Sequence, residues 1–138
     1  MNSPNTPTAS QWLALAACAV AIVGVAAIWT GASLIFRAPC AWIAVLAALD
    51  AVLLLRLANW PAGRSRVLVA LGVLLLTVLC AGYFIAGAQI GRAMGMRPHE
   101  ALPMMSVDLA RLYLSSNVGW IEALWLALAG VVAWRGAR

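Results

Sequence analysis

The stretch VLVALGVLLLTVLCAGYFIAGAQI, residues 67–90, decides the fold of this chain because it holds no charged side chain over its whole length. A run of about 17–25 apolar residues is long enough to cross a ~30 Å hydrocarbon core as a helix. Three similar runs surround it, from Trp12 to Phe36, from Pro39 to Leu55 and from Val118 to Trp134. We therefore expect four membrane-spanning helices.

The overall composition supports the same interpretation. Of the 138 residues, 65% are hydrophobic and only 9% are charged. A soluble domain of this size cannot bury so much apolar surface, so the sequence predicts one integral membrane domain over residues 1–138. The expected fold is all-α, a four-transmembrane-helix antiparallel bundle with a short amphipathic interfacial helix between helices 3 and 4. The spans are expected at about 11–36, 39–57, 67–91 and 118–134, and the interfacial helix at about 104–115.

Tryptophan positions give an independent estimate of the span lengths. Indole rings prefer the headgroup level, where the ring body is apolar and the N–H remains hydrated. Three pairs bracket the first, second and fourth runs, namely Trp12 with Trp29, Trp42 with Trp60, and Trp120 with Trp134. The first two pairs are about 25–27 Å apart along a helix axis at 1.5 Å per residue. Their spacing therefore predicts membrane-crossing helices.

The charge pattern indicates a lipid bilayer, and not nucleic acid, as the partner. The net charge is +5, and all nine basic residues are arginines that lie singly in loops and at span ends. The end that holds both termini, here called side A, carries five arginines, against four on the opposite end, side B. Under the positive-inside rule we expect a multi-pass protein of the cell (inner) membrane with both termini in the cytoplasm. The side A arginines are Arg56, Arg64, Arg66, Arg135 and Arg138.

The connections between the spans have their own signals. Residues 59–63 have a turn composition, which predicts a tight hairpin between the second and third helices. Residues 30–33 mark an expected change of direction at the end of the first run, and Pro39 is expected in the first turn of the second helix. In the interfacial helix, an apolar stripe at i, i+4, i+7 and i+8 is formed by Met105, Leu109, Leu112 and Tyr113.

Asp50 is the most unusual residue in the spans. It lies seven positions before the end of the second helix, or about 10 Å inside side A. A carboxyl group at this depth is costly, and ionisable groups within a membrane are candidates for a function. Asp50 is thus a candidate proton or cation site. The alternative is a neutral acid that is bonded to a backbone carbonyl or to a group on another subunit.

A second set of polar residues gathers on side B. Asp108 and Arg111 form an i, i+3 pair, and Arg92 is expected to lie within reach of Glu122. The step from His99 to Glu100 lacks the spacing of a metal site, so no metal is predicted. This cluster is expected to fix the loop to the bundle, with lipid headgroup binding as the alternative. Its members are Arg92, Arg97, His99, Glu100, Asp108, Arg111 and Glu122.

Small residues predict close helix packing. Gly87, Gly91 and Gly95 form two consecutive G-x-x-x-G steps, and this spacing leaves a strip on one helical face where another backbone can approach. The partner of the strip is left open between the first helix, the fourth helix and another subunit. The first helix carries a weaker strip of the same kind, formed by Ala17, Ala21, Gly24, Ala27 and Gly31.

Three functions are compatible with these patterns. We favour a non-enzymatic accessory subunit or self-associating bundle, because no phosphate-binding loop, serine nucleophile motif or intramembrane histidine is present and no cofactor is expected. The alternative is an oligomeric transporter or channel that uses Asp50. The third is a membrane enzyme or binder that acts on lipid headgroups with the side B cluster, since arginine can hold a phosphate bidentately.

Overall fold

A computed structural model describes residues 9–37, 40–117 and 119–138, and within these ranges the chain is helical without any strand. Proline-poor apolar runs form the long helices, because a helix satisfies every backbone amide within its own segment. A short 3-10 turn, Leu102–Met104, follows α4. The helices are α1 (Ala9–Phe36), α2 (Ile43–Leu57), α3 (Arg64–Ala93), α4 (Pro98–Ala101), α5 (Val107–Asn117) and α6 (Trp120–Ala137).

Three helices in the described ranges are long and apolar enough to cross a membrane, namely α1, α3 and α6. In each of these helices, at most 33% of an apolar stretch of 18 residues is buried inside the protein. The exposed remainder is apolar, so it needs lipid or another apolar partner. These helices support a membrane protein. The second helix has 15 residues, or about 22 Å at 1.5 Å per residue, and is shorter than the other three.

The helix α3 lies at the centre of the structure and contacts every other helix. The helix α2 packs against α1, α3 and α6, whereas α1 and α6 do not contact each other in the described part of the chain. The segments α4 and α5 pack only on α3 and on their own connection. The helices α2 and α3 therefore lie between α1 and α6.

The core consists of two adjoining groups of small and aliphatic side chains. One group contains Trp29, Ile43 and Ile85, and the other contains Cys18 and Leu55. Trp29 is only 4% exposed, so its indole ring packs against the neighbouring helices and not at the surface of the protein. It fills the core because the neighbouring helices present mainly alanines there, which leave room for a large ring.

Two helix ends have the same left-handed cap. After α2, Asn59 has φ 53° and the N–H of Trp60 donates to the carbonyl of Leu55 at 3.0 Å. After α3, Gly95 has φ 73° and the N–H of Met96 donates to the carbonyl of Gly91 at 2.7 Å. Both are Schellman motifs, which satisfy the last carbonyls of a helix. The turn expected at residues 59–63 thus lies between α2 and α3.

Two local expectations need correction or lie outside the described ranges. The helix α1 continues through residues 30–33 to Phe36, so no change of direction occurs there. The hydroxyl groups of Thr30 and Ser33 donate to carbonyls of their own helix, at Ala26 and Thr30, and therefore do not interrupt it. The expected role of Pro39 falls outside the described residues, and the described helix begins at Ile43.

Candidate functional site

Asp50 lies on α2, is partly exposed, and interacts electrostatically with Cys18 of α1. No hydrogen bond or ion pair of Asp50 occurs among the described residues. Arg56, on the same helix, instead donates a hydrogen bond to the carbonyl of Gly136 at 2.8 Å. The carboxyl group thus lies near the seam between α1 and α2, without an ion pair in the described part of the chain.

Most of the side B polar residues lie at the surface of the structure. Arg92, Arg97, His99, Glu100, Asp108 and Arg111 are all exposed, and none of them forms an ion pair within the described part of the chain. Glu100 accepts a hydrogen bond from the backbone N–H of Arg97 at 3.1 Å, which is a local contact within its own turn. Headgroup binding by this cluster stays a prediction.

Arg92 and Glu122 do not meet as the sequence had suggested. The Arg92 guanidinium donates to the carbonyl of Leu34 at 3.4 Å, and Gln89 donates to the carbonyl of Ser33 at the same distance. Both contacts join α3 to the end of α1. The Glu122 Oε2 atom accepts a hydrogen bond from the N–H of Gly119 at 2.9 Å. These side chains form hydrogen bonds with backbone groups at helix ends, where carbonyls and N–H groups lack intrahelical partners.

The glycines of α3 pack against the protein's own connection to α5. The side chain of Leu102 lies 2.7 Å from the position of a Cβ added at Gly87, and Ala101 lies 2.6 Å from that at Gly91. We call residues 98–106 the cap segment. The partner of the glycine strip was expected to be the first helix, the fourth helix or another subunit. The cap segment is none of these.

Gly95 does not belong to this glycine strip. It follows the end of α3 at Ala93, and nothing lies within 4 Å of a Cβ placed there. Its positive φ of 73° explains why a glycine is present, because other residues adopt this conformation at a cost. The four-residue spacing reflected a packing contact at Gly87 and Gly91 and a helix cap at Gly95.

The helix α5 begins later than expected, at Val107. The hydroxyl of Ser106, the residue before it, accepts a hydrogen bond from the N–H of Leu109 in its first turn. Its face against α3 is formed by Ala110, Tyr113 and Leu114, and the Leu114 side chain lies 3.0 Å from a Cβ added at Gly82.

The face of α5 that packs on α3 is only partly the predicted apolar stripe. Leu109 and Leu112 are 41% and 64% exposed. The helix packs along α3 because Gly82 offers a gap into which a leucine fits. Burial also raises the pKa of the Tyr113 phenol.

The small-residue strip of α1 faces outward. Ala17, Gly24 and Ala27 are exposed, and a Cβ added at Gly24 or at Gly31 would have no atom within 4 Å. The opposite face of α1, with Cys18 and Trp29, is the buried one. In contrast to the α3 glycines, this strip is uncovered by the described chain.

Two open clefts lie at opposite ends of α6. Near its start, a cleft is lined by Trp42, Ile121, Glu122 and Trp125, with Phe36 and Cys40 beside them. Near its end, another is lined by Arg64, Leu68, Trp134 and Arg138 together with Val67 and Gly63. In the second cleft the Arg138 guanidinium lies 5.1 Å from the centre of the Trp134 ring, a cation–π distance.

No group of three or more His, Cys, Asp or Glu side chains that could hold a metal occurs among the described residues. The three cysteines are unpaired. In comparisons with known proteins, no family model, curated protein or solved structure matches the chain.

Proposed function

We propose that this chain is a non-enzymatic integral membrane protein that associates with a second copy through the outer face of α1. The observation that carries the proposal is the open space at Gly24 and Gly31 in a helix that is otherwise apolar. Two such helices can approach closely over small residues, and close backbone approach is a main source of helix association in a bilayer. An accessory subunit would use the same face against a different apolar helix.

The proposal includes four crossings in an up-down-up-down arrangement. The helix α2 would cross together with its preceding turn, because its start lies beside the start of α6 in one cleft and Arg56 at its end reaches Gly136 near the end of α6. We place the protein in the inner membrane with both termini in the cytoplasm, following the arginine excess on side A.

The test is the molecular mass of the purified protein in a mild detergent. We expect the wild type to be a dimer and Gly24→Leu to be a monomer, because a leucine on this face keeps the two backbones apart. Gly72→Leu is the matched control, since a Cβ at Gly72 also has nothing within 4 Å but lies on α3. A wild-type monomer, or equal effects of both variants, would contradict self-association through α1.

A second candidate function is proton- or cation-coupled transport through Asp50. It is supported by the position of this carboxyl group on α2, which we propose to cross the membrane, near the seam with α1 and without a hydrogen bond or ion pair in the described ranges. Asp50→Asn should abolish coupled flux in proteoliposomes, because the amide can neither release a proton nor carry a charge. Asp108→Asn, at an exposed position outside the three long helices, is the control. Unchanged flux in Asp50→Asn would remove this candidate.

A further inference from the structure

The cleft at the start of α6 combines aromatic rings with a carboxylate. Its volume is about 460 Å³, and its lining includes Phe36, Trp42, Trp125 and Glu122. Trp42 immediately precedes α2, Trp125 lies on α6, and the two side chains are 44% and 39% exposed. Trp42 also interacts through its side chain with Cys40, a buried residue that precedes α2. The cleft is therefore a pocket between two helices whose walls are largely apolar.

No cationic side chain of the described residues pairs with the carboxyl group of Glu122. One carboxylate oxygen accepts the N–H of Gly119 at 2.9 Å, and the described chain provides no other hydrogen bond and no ion pair to this side chain. No arginine belongs to the described lining of the cleft. Because Glu122 is partly buried, its charge is less screened by water than that of an exposed carboxylate.

These two features select one class of ligand. The faces of indole and phenyl rings attract cations, and aromatic rings are the usual binding groups for quaternary ammonium ions. A carboxylate beside such rings adds a direct charge interaction, whereas it would repel a phosphate. Ile121 and Phe36, which are 61% and 65% exposed, supply apolar surface next to the rings. A molecule that joins an ammonium group to an apolar chain would satisfy all of these groups at once.

We propose that this cleft binds an alkylammonium group, either the headgroup of a membrane lipid or a lipophilic cation. The proposal rests on the chain being embedded in a bilayer, but not on self-association through α1. The first turns of α2 and α6 lie at the ends of the apolar segments, so the cleft would be at headgroup level with the apolar chain of the ligand directed along α6.

The first experiment measures binding of hexyltrimethylammonium to the full chain in an uncharged maltoside detergent by isothermal titration calorimetry. We expect hexyltrimethylammonium to bind the wild type saturably. Hexyl sulfate, which carries the opposite charge, should not bind. Glu122→Gln should weaken binding at least about tenfold by removing the charge, while its amide oxygen can still accept the Gly119 N–H. Glu100→Gln is the matched control, because Glu100 makes the same i, i−3 contact to a backbone N–H outside the cleft.

A second variant locates the site. Trp125→Leu keeps an apolar side chain on α6 and should weaken binding about fivefold or more by removing the ring. Helical content by circular dichroism must match the wild type for each variant. Absence of saturable hexyltrimethylammonium binding to the wild type, or equal binding by Glu122→Gln, would overturn the proposal.

Competition identifies the source of the ammonium group. If phosphatidylethanolamine or phosphatidylcholine in the micelle displaces the probe and phosphatidylglycerol does not, the ligand is a lipid headgroup. If the binding of the probe depends on Glu122 but none of these lipids displaces it, the ligand is a lipophilic cation. Both results support the ammonium site and differ only in its natural occupant.

Discussion

The Cβ atom of Ala101 lies 2.6 Å from the position that a Cβ atom would take on Gly91. Real Cβ atoms do not approach so closely, so Gly91→Ala must displace the cap segment from α3. Overpacking of this kind costs about 1–3 kcal/mol, and the better helix propensity of alanine returns about 1 kcal/mol. We expect a net loss of about 1 kcal/mol in the free energy of unfolding, measured by SDS titration in mixed micelles.

Two control variants make this prediction specific. Gly72→Ala should not destabilise the protein, because a Cβ there meets nothing within 4 Å. The double variant Gly91→Ala with Ala101→Gly should recover most of the loss, since it moves the methyl group from one side of the contact to the other. Additive losses in the double variant would show that the two residues are not in contact.

Tyr83 ties the cap segment to α3 by a second means. Its hydroxyl oxygen lies 3.2 Å from the carbonyl oxygen of Leu102 and 3.1 Å from that of Met105. Tyr83→Phe removes this link at a cost of about 1 kcal/mol, so amides of residues 100–106 should exchange hydrogen about fivefold faster. Thr77→Val is the control, because the Thr77 hydroxyl bonds only to Val73 of its own helix. Unchanged exchange in Tyr83→Phe would mean that packing alone holds the segment.

Arg56 connects the last turn of α2 to the last turn of α6. Its guanidinium donates to the Gly136 carbonyl at 2.8 Å, and a cation at a helix C-terminus is worth about 0.3–1 kcal/mol. Arg56→Ala should therefore increase hydrogen exchange in residues 133–137 by up to about fivefold. Arg111→Ala, which removes an exposed arginine of α5, a helix that does not contact α6 in the described chain, should leave this exchange unchanged. If both variants increase the exchange equally, the loss of a positive charge, and not the loss of the hydrogen bond, causes the increase.

The helices themselves could be predicted from the sequence, but not which of their faces pack together. In a soluble protein the polar face of a helix marks the outside, whereas in a membrane span both faces are apolar. Leu55 is fully buried and Leu57, two residues later, is 78% exposed, although the residue type is the same. This is also why the burial of Trp29 and the packing face of α5 could not be predicted from the sequence.

The candidate site residues, like the helices, could be predicted from the sequence only in part. Asp50 stands out from sequence alone, because a single carboxyl group in an apolar run is rare. Glu122 was grouped with the side B polar residues by its position along the chain, but it lies beside Trp42 and Trp125. These aromatic partners come from sequence positions about eighty residues apart, so only the packing of α2 against α6 brings them together. One signal was available, since Trp125 is the single tryptophan well inside a predicted span.

The crossing of α2 decides between a three-span and a four-span protein. Single cysteines at positions 37, 62 and 94 test it in a background in which Cys18, Cys40 and Cys80 are replaced by alanine. The three positions are exposed, and position 37 already carries a side chain at φ 53°, so cysteine adds no new strain there.

With four crossings, a membrane-impermeant maleimide should label positions 37 and 94 from one side and position 62 from the other. If α2 does not cross, positions 37 and 62 should react from the same side, because only α3 then separates them from position 94. This second pattern would contradict the up-down-up-down arrangement. In that case α2 would lie on one surface and the start of α6 on the other, so Trp42 and Trp125 could not line a common cleft.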